Sequence, residues 1–454
     1  MALIGIGIVG LLAAAFGTGS TAPAVSFWIS MGGLTTGAAI LFRAYLRRPA
    51  GVDNNGVWFS SATARGMAGW ILGIVFTGFY VVLYWAPANL EHLVRMTDPL
   101  SHMIRGRAAD RWFLYGFFYT MAVLVMGARM LVKYRSNPYQ IVRTISVMFF
   151  QLGFAFLIPG LLLMFNQPEY YFSYFWPLKY DYLWPGSIDY LSNASALGVF
   201  MVFWGTVMFF VATPILTYFF GKRWYCSWVC GCGGLAETAG DPFRHLSDKS
   251  LAAWKIERWM VHGVLVFIVG VTALLWGNSA TGGSWLGSLS GPFAQTYGFF
   301  IGLIFAGVIG VGFYPIMGSR VWCRFGCPMA ATLGLLQRHF SRFRITTNGG
   351  QCISCGNCST YCEMGIDVRW YAQRGQNIIR SSCVGCGMCA TVCPRGVLKL
   401  ENGPQRGRYN GPILTHHDQV SVQIDDAWIQ SRPLNPPAQE DIPILTDRDV
   451  AGMF

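Results

Sequence analysis

The chain has 454 residues, 53% of them hydrophobic and only 12% charged, which excludes a soluble globular protein. Its 33 Lys and Arg against 21 Asp and Glu leave a net +12, and much of that excess lies in loops between apolar runs, where it is a topology signal and not a nucleic-acid footprint. All 13 cysteines fall between Cys226 and Cys393, and an odd number in tight groups argues for metal ligation over a disulfide framework.

In chain order, apolar runs predict about eight transmembrane helices, at 2–17, 24–45, 67–87, 112–132, 144–165, 196–220, 257–277 and 297–317. The first rises only about 24 Å and lacks a basic flank, so it is read as a retained short helix. Pro159 is expected to bend the fifth. Cations collect after the second, fourth, sixth and eighth spans: Arg43, Arg47 and Arg65; Lys133 and Arg135; Lys222, Arg223 and Arg244; Arg320 and Arg324. The segment 278–296 has neither Lys nor Arg, whereas 88–111 is an exception with four Arg. This tally places both termini and every cysteine on the cytoplasmic side, or at its membrane boundary, in a multi-pass protein of a bacterial inner membrane. Between spans five and six, Tyr170, Tyr171, Phe172, Tyr174, Phe175 and Trp176 read first as an outer interfacial aromatic belt and, more sharply, as a quinol pocket or docking surface. Only His262 of seven histidines falls inside a span, so no haem is expected from this chain alone.

The domain reading is a transmembrane helical domain at 1–320, an interfacial amphipathic segment at 321–344, a Cys-rich module at 345–402 and an extended tail at 403–454. Within the module, Cys352-x2-Cys355-x2-Cys358-x3-Cys362 is followed by Cys383-x2-Cys386-x2-Cys389-x3-Cys393-Pro394, the spacing of a bacterial two-cluster ferredoxin. The fourth cysteine of each run serves the other cluster. Cluster A therefore takes Cys352, Cys355, Cys358 and Cys393, and cluster B takes Cys383, Cys386, Cys389 and Cys362. Glu363 stands where the pattern expects proline.

The other five cysteines form a second repeat. Gly221-Lys-Arg-Trp-Tyr-Cys226-x3-Cys230 and Gly318-Ser-Arg-Val-Trp-Cys323-x3-Cys327-Pro328 share one frame at the ends of apolar spans, which suggests a duplicated helix pair at about 144–232 and 257–330. Facing each other, Cys226, Cys230, Cys323 and Cys327 could hold a further iron-sulfur cluster or copper, with Cys232 as a substitute ligand. Packing as small buried side chains is the plainer alternative.

Spans, paired C-x3-C motifs and a two-cluster ferredoxin together resemble the membrane-bound polyferredoxins of the NapH, NosR and CcoG kind over about residues 110–400. Gly231 in place of proline and the additional Cys232 depart from that pattern. The resemblance implies quinol oxidation, electron delivery to reductases or copper handling. The expectation is an all-α polytopic membrane domain followed by a small α+β two-cluster ferredoxin module. It transfers electrons between a quinone pool or a partner subunit, such as a cytochrome or iron-sulfur protein, and two 4Fe-4S clusters, as a quinol dehydrogenase type subunit. A copper or metal reductase or assembly factor, and a non-catalytic membrane anchor, are the alternatives.

Overall fold

The computed structural model describes residues 23–47 and 60–403, together with Gly7. Apart from Gly7, the expected span at 2–17 lies outside the described residues, as does the tail beyond Gly403. Pro23–Tyr45 (α1) is a 23-residue helix at the place of the second span. Among the described residues six helices, not eight, are long and apolar enough to cross a membrane: Met67–Trp85 (α2), Arg111–Lys133 (α3), Pro138–Met164 (α4), Ala196–Phe220 (α5), Leu251–Ala280 and Gly287–Ile309. The last differs from the expected 297–317 because a turn at 310–313 separates it from the short helix Tyr314–Met317. Protein buries between 11% of the apolar window in Ala196–Phe220 and 28% in Arg111–Lys133, so most of these side chains are left for lipid.

Two shorter helices follow the C-x3-C motifs: Gly231–Thr238 (α6) and, after Leu251–Ala280 (α7) and Gly287–Ile309 (α8), Pro328–Phe340 (α9). α6 packs against α3 and α4, where Leu235 and Ala236 join Val123 and Val147 in one apolar cluster. The close approach needs glycine: a Cβ at Gly234 would lie 2.6 Å from Val147 Cγ1. α9 packs on α5 and α7 and buries Met329, Ala330, Leu333 and Gln337, leaving Leu335 and Phe340 exposed. Among the described residues four stretches are wound as π-helix, and three of them, Phe150–Leu157, Met208–Ala212 and Trp322–Gly326, end two residues before a proline (Pro159, Pro214 and Pro328), whereas Gly298–Ile309 has none so placed. Proline lacks the N–H and crowds the carbonyl of the preceding turn, which widens it.

The aromatic segment 170–184 does not form a surface belt. Tyr170, Phe175 and Trp176 are buried, Phe175 lies 5.2 Å from the Tyr225 ring, and the Tyr225 hydroxyl donates to Ser173 O at 2.8 Å. The rings thus find protein partners beside the first C-x3-C motif.

The Cys-rich module is closed by an antiparallel ladder between Phe343–Thr347 (β1) and Leu398–Asn402 (β2), with Phe343 opposite Asn402 and Thr347 opposite Leu398. It is tied to the helices by Gln337. The side-chain amide donates to Arg380 O and Cys383 O, both at 2.8 Å, while its oxygen accepts from Lys222 N at 2.7 Å. A single buried apolar cluster runs from Cys226, Cys230, Cys323 and Cys327 through to Cys358, Cys383 and Cys389.

Candidate metal centres

In the ferredoxin-like module the two runs build similar loops. Gly356 and Gly387 each adopt a left-handed conformation (φ 79° and 78°) directly after Cys355 and Cys386, turning the chain into short helices at Asn357–Thr360 and Met388–Thr391. Cys352, Cys355, Cys358 and Cys393 wall one small cavity. Burial pushes the Cys358 thiol up to about 11, and Cys393, Cys352 and Cys355 add to the effect. Cys389 is likewise raised by burial and then by Cys386, Cys383 and Cys362. Cys393 thus shares a cavity with the first three cysteines of the other run, and Cys362 lies within electrostatic reach of Cys383 and Cys389.

The two C-x3-C pairs are brought together as well. Cys226, Cys230, Cys323 and Cys327 are all buried. Burial drives Cys226 up to about 12, opposed by Lys222 and reinforced by Cys230 and Cys323. Cys327 is raised by burial and by Cys323, Cys226 and Cys230. Cys230 and Cys327 are the N-caps of α6 and α9, and Cys327 Sγ accepts from Ala330 N at 3.4 Å. Both helix N-termini thus favour negative charge at these sulfurs. Cys232 is only partly buried, its thiol hydrogen-bonded with that of Cys230.

Such thiols do not ionise unaided. A bound soft cation would replace their protons, and four buried sulfurs suit iron-sulfur or another soft metal. The surroundings fit a negatively charged group. Lys222 is buried, its ammonium donates to Ser381 O at 3.2 Å, and it favours ionisation of both Cys226 and Cys383. Arg320 Nη1 lies 3.6 Å from Cys323 Sγ and 3.2 Å from Cys226 O.

A buried ion network that cysteine spacing does not reveal lies close by. Glu237 pairs with Arg143, Arg244 and Arg320; Asp241 with Arg129, Lys133 and Arg244; Glu363 with Arg244 and Arg320. Burial would raise Glu237, but the three guanidiniums outweigh it and hold the carboxyl well below its ordinary range. Carboxylate oxygens of Glu237 and Glu363 and the Cys386 sulfur lie within 4.8 Å of one another. The only sequence signal was Glu363 itself, the residue standing where proline was expected. Its carboxylate joins the ferredoxin-like module to the segments that follow α6 and α8.

Next to the C-x3-C motifs is a cavity of about 750 Å³. Its walls come from α3, α4, the aromatic segment and α8, and Cys232 and Pro328 line it where the C-x3-C motifs end. Arg105, Asp110 and Glu169, near the ends of α3 and α4 remote from the cysteines, line it too.

Residues 202–250 and 297–346 both match one family model, described as a 4Fe-4S binding domain, and residues 351–397 match a 4Fe-4S dicluster domain. Each match to the first holds one C-x3-C pair. The chain is similar to a putative electron transport protein, YccM, of Escherichia coli (strain K12), at 30% identity over 158 residues that cover 32% of this chain and 43% of that protein. The chain thus spans less than half the length of that relative. No solved structure matches. Ferredoxin-type 4Fe-4S domains, likeness to an electron transport protein and several membrane-length apolar helices fit a polyferredoxin-like membrane protein.

Proposed function

From the premise of a polyferredoxin-like membrane protein, we propose that the chain passes single electrons between a quinone pool or partner redox subunit and two 4Fe-4S clusters on the cytoplasmic face of a bacterial inner membrane. A third cluster is held by the paired C-x3-C motifs. The observation that carries this reading is the continuous buried cluster that joins Cys226, Cys230, Cys323 and Cys327 to Cys358, Cys383 and Cys389. Cluster A rests on Cys352, Cys355, Cys358 and Cys393, and cluster B on Cys383, Cys386, Cys389 and Cys362. Bound clusters supply one-electron transfer. The chain's own part is to exclude water, to set cationic Lys222 between Cys226 and Cys383, and to hold the module on the helices through Gln337. The 750 Å³ cavity, within the range that takes a small-molecule ring, is walled by the membrane-length helices α3, α4 and α8 and suits the quinone end.

The test is metal analysis of the anaerobically purified chain. Iron and acid-labile sulfide should each approach about twelve per chain, and a variant with Cys226, Cys230, Cys323 and Cys327 all replaced by Ser should keep about eight. Copper lost with those four residues would favour metal handling. About eight irons in both proteins, with no other metal, would remove the third cluster.

A further inference from the structure

The cavity beside the paired cysteines is not the space of a cluster, because none of Cys226, Cys230, Cys323 and Cys327 lines it. Its cysteine-side end is polar and built by one glycine. Gln151, midway along α4, is 4% exposed. Gln151 lines the cavity; its amide nitrogen donates to Thr120 Oγ1 at 3.0 Å, and its buried Oε1 has no hydrogen-bond partner among the described residues. The Tyr174 hydroxyl comes to the same point. A Cβ on Gly231 would lie 2.6 Å from Gln151 Oε1 and collide with the Tyr174 oxygen. Cys232, the next residue, is partly exposed and also lines the cavity.

The chain carries its own comparison. In the second C-x3-C frame, Cys327 is followed by Pro328 and Met329, whereas Cys230 is followed by Gly231 and Cys232. The repeat breaks where the cavity meets the motifs. A proline at 231 would need the volume that Tyr174 and Gln151 occupy.

An orphaned buried amide oxygen next to a phenol calls for a ligand atom that both donates and accepts, since burying it unpaired is costly. A quinol hydroxyl does both. If the Gln151 amide turns over, the Thr120 hydroxyl can donate to Oε1, and the amide then offers N–H to a quinone carbonyl. One pair of side chains therefore serves both oxidation states, while aromatic walls such as Phe156, Tyr180 and Tyr297 suit a flat ring. We propose that Gly231 and Cys232, with Gln151 and Tyr174, form the specific seat for the oxygen-bearing ring of a lipid-soluble quinone or quinol. This deepens the electron-transfer reading and rests on it for the choice of ligand class.

Binding, not turnover, tests it. The full chain in lipid nanodiscs is titrated with menadione and with decylubiquinone, followed by quenching of intrinsic fluorescence, and iron content is measured in every variant. Wild type should bind at least one of the two saturably. Gln151→Leu and Tyr174→Phe should each weaken binding about five- to tenfold with iron content unchanged. Gly231→Ala should weaken it more. Should Gly231→Ala fail to assemble, the Gln151 and Tyr174 variants still decide. Saturable binding that is unchanged in the Gln151→Leu/Tyr174→Phe double variant overturns the seat, as does a wild type that takes up neither quinone and holds only phospholipid. An electron-transfer chain with full iron and no quinone binding would sink this seat alone. Missing clusters with intact quinone binding would sink the wider reading and leave the seat.

Discussion

Asp241 shows how a single buried carboxylate is kept charged. Burial alone would raise its pKa, but Lys133, Arg244 and Arg129 outweigh it and hold the group below the ordinary carboxylate value. A folded-state value lower than the unfolded one stabilises the fold fully above the unfolded value, near 4, and that contribution is lost as pH falls through the folded value. Melting temperature should therefore be insensitive to this group between pH 6 and 8 and fall below about pH 4. In Asp241→Asn the acid-side slope should be shallower, and equal slopes in the two proteins would show that Asp241 does not contribute. Glu363 gives a second test. Glu363→Gln keeps every cysteine and leaves Glu237 and Asp241 to face Arg244 and Arg320, and since burial raises the Glu363 carboxyl above its ordinary range the loss should be only about 1–3 kcal/mol, read as a lowered unfolding midpoint. The residue that departs from the ferredoxin spacing thus has a structural reason to be acidic.

Among the elements, the C-x3-C frames share a backbone device. Gly221 and Gly318 both combine positive φ (67° and 92°) with extended ψ (−172° and 172°), a region that is essentially glycine's alone. Each ends a helix and starts the turn into a cysteine motif, and a Cβ at Gly221 would lie 2.7 Å from Phe343 Cβ. Gly221→Ala and Gly318→Ala should each destabilise by about 1–3 kcal/mol, seen as lower thermal midpoints and reduced metal retention. Ligand crossing in the ferredoxin-like module is tested by two neighbours. Cys358→Ser should disturb the electron paramagnetic resonance signal of one cluster and Cys362→Ser that of the other. Loss of the same signal in both variants would refute the crossing.

For the whole molecule, the distribution of Lys and Arg between spans sets the expected sense across the bilayer. The cation tally predicts that single-cysteine probes at Ser288 and Gln405 lie on opposite sides, with only the former labelled by an impermeant reagent in intact cells. The reverse pattern would invert the topology. The sequence alone determined that this is a membrane chain with a ferredoxin-type module, because apolar run length and C-x2-C-x2-C-x3-C spacing are local properties, written in consecutive residues. Local periodicity also placed most of the helices: of the eight expected spans the first lies, apart from Gly7, outside the described residues, the second is the helix Pro23–Tyr45, and the other six correspond to the six described helices long and apolar enough to cross a membrane. The tertiary structure alone decided that Tyr170, Phe175 and Trp176 turn inward. It also decided that Glu237, Glu363 and Arg320 meet between the cysteine groups, and that Gly231 draws Gln151 and Tyr174 to the end of a cavity. Those residues are far apart in the chain and carry no periodic signature. Their roles follow from burial and close approach, which arise only when separate segments pack against one another.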